Sequence, residues 1–539
     1  MKKDSYEWGK QILDRGEWFA PRFGTASLSE PIDWFQNPFS NRSWVWLLHQ
    51  FSFFRDLFAV DDEEGGTRGM EFALRTVQSW WAQFPDYDAA PKDIWHDHGS
   101  AFRALNLIQL YRRLEDLGTR QDDLVYLQGL IDVHATYLSL EEKYSRNSNH
   151  GLDQSLVLFQ LAKEFPQSSW SQSHAATARQ RLVFEVDNAF APDGGHLENS
   201  VHYQVVGIVQ LLEILAVEQS YCAPEDGIIP DLKERIDLAL KRLCFMVSPL
   251  GNFTLIGDTE ANMRPDPFAR TTWVPDHLPN WQFVRSKGRL GEPPAKPDMM
   301  LKETGWIVMR DTWSGPEDIH LISKCGYNKQ YHRHDDDTAI ILHGFGTEWI
   351  TDGGLYAYQE RDPLRLLLRS HKGHSLSYPD GVTPVRRLAE SEVRSCVKQR
   401  YSGAYRAHVT LESHMFPEFV SVRKIFFDRR KKLLELHDVI TPTSSEGEAR
   451  PYVTQFLIPG DKEVEVIEDQ RVSIRSETHR LEITCSVPPS SIDVVKGQEE
   501  PELRGWRSPR FGVKEDVHSL CFHHHAPTLD CSYSLQFMV

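Results

Sequence analysis

The side chains best able to do chemistry cluster in a few short stretches. The run Tyr331-His332-Arg333-His334-Asp335-Asp336-Asp337 sets two imidazoles two residues apart. In extended backbone both would project from one side and reach one site. Eighteen residues after His334, a strand-like Glu348-Trp349-Ile350-Thr351 runs into Asp352-Gly353-Gly354. The segment Arg369-Ser370-His371-Lys372-Gly373-His374-Ser375 follows. Imidazoles with a carboxylate make an ordinary zinc set, and solvated loop histidines are the plain alternative in a chain with 23 His. The first half contributes Asn149-His150-Gly151 and the run from Pro192 to Tyr203, which reads Pro-Asp-Gly-Gly-His-Leu-Glu-Asn-Ser-Val-His-Tyr.

Two kinds of element must position these groups. Up to about residue 250 the apolar spacing is helical, over 43–60, 68–85, 100–116, 121–140, 150–165, 201–221 and 231–249. Val201, Val205, Val209 and Leu212 fall on one face, as do Leu232, Ile236, Leu240 and Leu243. Phe84-Pro85-Asp86, Phe165-Pro166 and Ala191-Pro192-Asp193-Gly194-Gly195 break the pattern. Periodicity leaves toroid, solenoid and bundle equally open. Residues 262–300 lose the helical period and carry Pro265, Pro267, Pro275, Pro279, Pro293, Pro294 and Pro297, the best linker candidate. Beyond it, short β-branched or aromatic runs read as strands: Ile307–Met309, Ile319–Ser323, Ala339–Leu342, His408–Leu411, Val420–Phe427, Leu433–Leu436, Val464–Ile467, Val472–Ile474 and Leu481–Cys485. Strands without intervening helices predict an antiparallel sandwich.

With 539 residues the chain needs more than one core. The formal net charge of −17 argues against nucleic acid and anionic membranes as partners. Any anionic ligand would need basic residues gathered in one cleft. The aromatic share of 11% is read mainly as core. Seven scattered cysteines without a C-x-x-C pair offer no disulfide framework and no cysteine zinc site. His523-His524-His525 is read as surface. The start MKKDSYEWGKQILDRGEW has no apolar run after its charges, and no span of about 18 apolar residues stands out. The expectation is a cytoplasmic protein, with a removed leader or another export route as alternatives.

Taken in order over 149–375, these stretches resemble the heparinase II/III-type polysaccharide lyases. His332-Arg333-His334-Asp335-Asp336 looks like the family's H-x-H-x-D, Thr351-Asp352-Gly353-Gly354 like its V-D-P-G, and Arg369 to Ser375 like its R-S-x-x-x-H-N-T. Asn149-His150-Gly151 looks like its N-H-G, and Asp193 to Tyr203 like its D-G-x-x-x-E-x-S-x-x-Y-H. The resemblance implies an α+β multidomain protein, an N-terminal incomplete (α/α) toroid over 1–290 followed by a C-terminal antiparallel β-sandwich over 291–539. It implies a catalytic group of Asn149, His150, Tyr203 and His332. It also implies a structural zinc on His334, Asp352 and His374, and no organic cofactor. His371 competes with His374 for the third ligand position, and the motif favours His374. Gln204 stands where the family commonly has His after the tyrosine, Gly353 replaces Pro, and Ser375 replaces Asn.

The implied reaction is β-elimination across C4–C5 of a uronate. The carboxylate must first be neutralised by donors, a role suited to Asn149 and His150 at a helix start. A base then takes the C5 proton and an acid protonates the departing O4. Tyr203 can serve either step, with His332 as partner: on one ring face Tyr203 could serve both, and on opposite faces His332 or His150 takes the base role. His98, Tyr358, Arg365 and Arg369 are candidates to bind the anionic sugar chain. Intramolecular pairing is the alternative for the histidine and arginines, and core packing for Tyr358. The expected partner is a uronate-containing polysaccharide or oligosaccharide, with no nucleic acid or membrane partner and a homodimer left open. A glycoside hydrolase using Asp153, Asp193 or Glu198, and a silent carbohydrate-binding homologue, are the competing readings.

Overall fold

The computed structural model describes residues 2–538 apart from 22, 119, 224–225, 263–265, 272, 330, 386–394 and 445–446. Pro265 therefore lies outside the described residues. The chain groups into two compact units: one holds Met1–Asn188 with Ala216–Pro230, the other Ala189–Leu215 with Asp231–Val539.

The first unit is built of helices, as the periodicity predicts. Asp97–Leu117 packs on Gln121–Ser139 and on Asn149–Glu164. The expected single segment at 43–60 is two helices, Arg42–His49 and Phe54–Glu64, because Phe51 takes a left-handed φ of 60° between them. Lys2–Arg15 and Ser171–Ala189 are further helices whose mixed composition hid the period. The aromatic residues go inward, with Trp34, Trp44 and Trp80 almost fully buried. Arg103 lies at the centre of this packing, 0% exposed, beneath Trp80 and Trp95. It donates to the His49 and Ile94 carbonyls, Ser100 and His134. A buried guanidinium is tolerated when its donors are satisfied in this way.

The second unit contains three antiparallel arrays. Eight strands run in the order Glu463–Glu468, Arg471–Arg475, Arg480–Cys485, Leu529–Met538, Leu433–Pro442, Phe419–Asp428, Arg406–Ser413 and Cys396–Ser402. A second sheet orders Ser491–Lys496, Glu515–Ala526, Arg450–Pro459 and Ser377–Pro379, with Trp506–Arg507 paired onto Glu515–Ala526. The third runs Met299–Met300, Trp306–Arg310, His320–Lys324, Ile340–Gly344 and Thr347–Ile350. All three contribute to one hydrophobic core containing Ile307, Leu321, Trp349, Val409, Phe427, Phe456 and Tyr533. Arg406–Ser413 alternates buried residues with half-buried ones after an exposed Arg406, the period-two pattern of a strand with one face on the core. Arg450–Pro459 is buried along most of its length and lacks that alternation, so it escaped the sequence reading.

Some expectations need correction. Residues 262–300 are not simply a linker: they include the helix Leu278–Arg285, whose Trp281 is 1% exposed. The triplet His523-His524-His525 is surface only in part: His525 is exposed and His523 half-buried, but His524 is not at the surface. The triplet lies in the strand Glu515–Ala526, where alternation buries His524 to 6% exposure. The helix Val201–Tyr221 is, against expectation, long and apolar enough to cross a membrane, though most of its residues are buried within the protein, as in a core helix. Its buried positions include Val201, Val205, Ile208, Leu211 and Leu215, so burial extends past the single face drawn from spacing.

Candidate active site

In the helical unit, Asn149 and His150 open the helix Asn149–Glu164. Ser148 caps it, its hydroxyl accepting from Gly151 N at 3.1 Å. The preceding loop is clamped by Glu185, which accepts from the backbone N–H groups of Asn147 (2.8 Å) and Ser148 (3.0 Å) and from the Tyr144 hydroxyl. This crowding explains the glycine of Asn149-His150-Gly151: a Cβ at Gly151 would sit 2.4 Å from the Ser145 carbonyl oxygen and 2.7 Å from Glu185 Oε1. His150 Nδ1 lies 3.2 Å from Asp97 Oδ1, and its ring stacks on His98 at 4.2 Å. His98 in turn has its Nε2 at 2.5 Å from Asp153 Oδ2. Burial alone would raise the Asp97 pKa, but hydrogen bonds from His150 and His96 outweigh it and hold the carboxyl far below its usual range. Asp97 thus stays an anion that orients His150. Asp153 is paired with His98.

In the second unit, Tyr203 projects from the first turn of Val201–Tyr221 and stacks on His332, the ring centroids 3.6 Å apart and the planes 18° from parallel. Tyr358 completes an aromatic cluster: its phenol hydrogen-bonds that of Tyr203, and its ring meets His332 edge-on at 6.4 Å. Burial, then the neighbouring Tyr358 and Glu198, push the Tyr203 phenol well above its usual range. Tyr358 is 45% exposed as a residue, but its hydroxyl is turned into the cluster, and desolvation there raises it too, to about 12. Both phenols are therefore neutral donors at neutral pH.

The organising group is Asp258, which the sequence reading missed. It is 1% exposed, and its two oxygens serve three partners. His334 Nε2 lies at 2.9 Å from Oδ1 and His332 Nδ1 at 3.1 Å from Oδ2. The Arg365 guanidinium forks onto both oxygens, one contact at 2.9 Å. Burial would raise this carboxyl, yet the bonds from His332, His334 and Arg365 keep it well below the ordinary carboxylate range. The segment Gly257-Asp258-Thr259-Glu260 follows an apolar run outside any helix or strand, and only that placement hinted at a special role. Gly257 has φ 62°, and a Cβ there would meet the carbonyl oxygens of Asn199 (2.7 Å) and His332 (2.9 Å).

The two imidazoles do converge, but not through extended backbone. His332 sits in the left-handed region at φ 57°, in a turn. Such strain in a non-glycine residue persists only where surroundings over-determine it. Here Asn199 Nδ2 donates to the Lys329 carbonyl at 2.7 Å and the Tyr331 carbonyl at 3.2 Å, while Lys324 Nζ donates to Asn199 Oδ1 at 3.1 Å. The other imidazole nitrogen, His332 Nε2, is 3.4 Å from Glu198 Oε2, which has no hydrogen-bond partner among the described residues. Cations gather nearby despite the acidic chain. Lys329 lies 4.0 Å from Glu198, and Arg333 is 3% exposed with its guanidinium over the Tyr327 ring.

His334, Asp352 and His374 form a buried set whose ligand atoms all lie within 4.8 Å of one another. Asp352 follows the strand Thr347–Ile350, and His374 follows the short helical turn His371–Gly373. His374 Nδ1 lies 2.9 Å from Asp352 Oδ1. His334 Nδ1 and His374 Nε2 are buried without any hydrogen-bond partner among the described residues. Two orphaned imidazole nitrogens beside a buried carboxylate are the donor set a divalent cation would satisfy. His371 is outside the set, packed against Tyr378 and Phe416. Ser375, in place of Asn, bonds the Thr351 carbonyl and Leu457 N–H, tying His374 to its strands.

The remaining candidates have structural partners. Arg365 is buried and paired with Asp258, so it acts on the site through that carboxylate. Arg369 ends the helix Pro363–Arg369, its carbonyl accepting from Asp335 N at 2.9 Å. Gln204 is 0% exposed and bonds the Gly194 and Ala239 carbonyls and His196 N, a packing role away from the aromatic cluster. Asp193 is tied to Thr304 and to Gly195 N.

Comparison with known proteins agrees with this architecture. The family descriptions "Heparinase II/III N-terminus" and "Heparinase II/III-like, C-terminal" match residues 10–261 and 293–536. Among solved structures, a heparinase III superposes with a TM-score of 0.80 at 14% identity, covering 99% of this chain and 85% of that one. Heparan sulfate lyase HepC from Pedobacter heparinus gives 0.71 at 16% identity, covering 99% and 83%. At such identities these structures speak for the fold. No curated protein matches significantly. A helical N-terminal region joined to C-terminal antiparallel sheets, under both family descriptions, defines a polysaccharide lyase. The chain belongs to the heparinase II/III family.

Proposed function

We propose that this lyase cleaves a uronate-containing polymer of the glycosaminoglycan kind by β-elimination, with Tyr203 as acid and His332 as base. The stacked Tyr203–His332 pair, with His332 Nδ1 held by Asp258, is the observation that carries this reading. A carboxylate accepting from Nδ1–H fixes the tautomer in which Nε2 carries the lone pair. That nitrogen then takes the C5 proton. Tyr203, kept neutral by burial, gives its proton to the departing O4. Tyr358 supports the phenol through their shared hydrogen bond. In the helical unit Asn149 and His150 open a helix whose N-terminal partial positive charge favours an anion, which suits them to hold an acidic group of the polymer.

Zinc is the metal proposed for His334, Asp352 and His374. When bound it satisfies the orphaned nitrogens and stiffens His334, which shares Asp258 with His332.

Heparan sulfate is the first polymer to test, because solved structures of like fold carry the name heparan sulfate lyase. The test is near-ultraviolet absorbance from the C4–C5 double bond, measured over a panel of uronate polymers. Tyr203→Phe is expected to remain folded and lose turnover. Retained turnover would remove Tyr203 from the mechanism, and products without the double bond would replace elimination with hydrolysis.

A further inference from the structure

A second group of metal-ligand side chains lies inside the β unit, apart from the residues assigned above. Cys485 ends the strand Arg480–Cys485, and Cys531 lies on the adjoining strand Leu529–Met538 of the eight-stranded sheet. His524 comes from Glu515–Ala526 in the second sheet, so the three side chains bridge two sheets. Both cysteines are 1% exposed and His524 6%. The two Sγ atoms are 3.1 Å apart, and one ligand atom from each of the three residues lies within 4.8 Å of the others. His524 Nε2 is 2.9 Å from the Tyr533 hydroxyl, a contact that orients the imidazole.

A simple cross-strand disulfide fits this register poorly. Cys485 is paired with Tyr533, so Cys531 is its diagonal neighbour, two residues along. Diagonal Cα atoms on antiparallel strands are about 7–8 Å apart, whereas bridged cysteines usually have Cα atoms about 4.4–6.8 Å apart. Two thiols and an imidazole converging from three strands suit a tetrahedral ion. Bonds of about 2.3 Å to sulfur and 2.0 Å to nitrogen space the ligand atoms by roughly 3.5–3.8 Å, within the 4.8 Å that bounds the three ligand atoms, and the two Sγ atoms, now 3.1 Å apart, would part by a few tenths of an ångström to take up the ion.

We propose that Cys485, Cys531 and His524 bind a thiophilic divalent ion of the zinc class, which pins the last strand of the chain to both sheets. On binding, each thiol passes its proton to solvent, so two thiolates balance the two charges of the ion.

Cobalt(II) substitution of the full chain tests this, because thiolate-to-cobalt charge transfer absorbs in the near ultraviolet and a His/Asp/His site gives no such band. The expected result is a charge-transfer band in the wild type that persists in His334→Ala and disappears in Cys485→Ser/Cys531→Ser. Zinc added to the cobalt protein should bleach it. The wild-type spectrum is decisive by itself should the double variant fail to fold. Seven titratable thiols with no band after cobalt loading would reduce the cluster to packed apolar side chains and overturn the proposal. Two fewer titratable thiols in metal-free protein under denaturing, non-reducing conditions would make the pair a disulfide and overturn it equally.

Discussion

Replacing Asp258 by Asn separates what this carboxylate does for stability from what it does for chemistry. The substitution keeps shape and one acceptor oxygen but removes the charge that Arg365, His332 and His334 share. Arg365 is 4% exposed, so its guanidinium would be left in the interior without a counter-charge. Breaking a buried pair in this way costs about 3–5 kcal/mol. Asn retains an acceptor, so a loss near 3 kcal/mol is expected, read as a lower midpoint in denaturant. The chemical effect is different in kind. An amide N–H2 turned toward His332 Nδ1 favours the tautomer with its proton on Nε2, and that removes the lone pair assigned to the C5 proton. General-base catalysis contributes about 10²–10⁴-fold, so kcat should fall by that factor with KM changed little. Arg365→Met is the control: it destabilises the same cluster but leaves Asp258 on His332, so kcat should suffer much less. Near-ultraviolet turnover assays on both variants, at a temperature where each is folded, compare the two. If Asp258→Asn and Arg365→Met lose stability alike and both keep kcat within tenfold of wild type, Asp258 is structural only and the tautomer argument fails.

Metal analysis should find His334→Ala depleted of the ion that His371→Ala retains, because only His334 belongs to the buried ligand set; equal metal content in the two would dismiss that assignment. Gly151→Ala places a Cβ 2.4 Å from the Ser145 carbonyl oxygen and should cost about 1–3 kcal/mol by overpacking. It should also raise KM by displacing Asn149 and His150; unchanged stability and KM would show that the loop yields freely. His49 is buried between the Trp34 carbonyl and the Trp80 indole N–H, and burial, with the Arg103 charge, depresses its pKa from 6.5 to about 3. The unfolded state binds the proton first, so stability is full above pH 6.5 and falls by about 1.4 kcal/mol per pH unit toward pH 3. Denaturant midpoints should show this acid limb in the wild type and a flatter one in His49→Gln; identical slopes would remove His49 as the cause.

Local pattern alone was enough for the helical period of the first half, the two-residue alternation of strands such as Arg406–Ser413, and the ordered motifs from Asn149 to His374. Each rests on side chains close in sequence, where geometry follows directly from spacing. Motif spacing also favoured His374 over His371, and it is His374 that lies beside His334 and Asp352 in the buried cluster. Tertiary structure decided what spacing cannot encode. Asp258 lies 74 residues from His332 and 107 from Arg365, and no periodicity links them. His332 approaches its partners through a left-handed turn that Asn199 enforces from another segment, so the extended-strand argument reached the right convergence by the wrong backbone. Arg365 became an internal partner, and His524 turned inward, because burial depends on which sheet covers a strand. Sequence sets which groups are present and how neighbours alternate; only the packing of distant segments fixes which charges meet away from water, and so which of those groups can act.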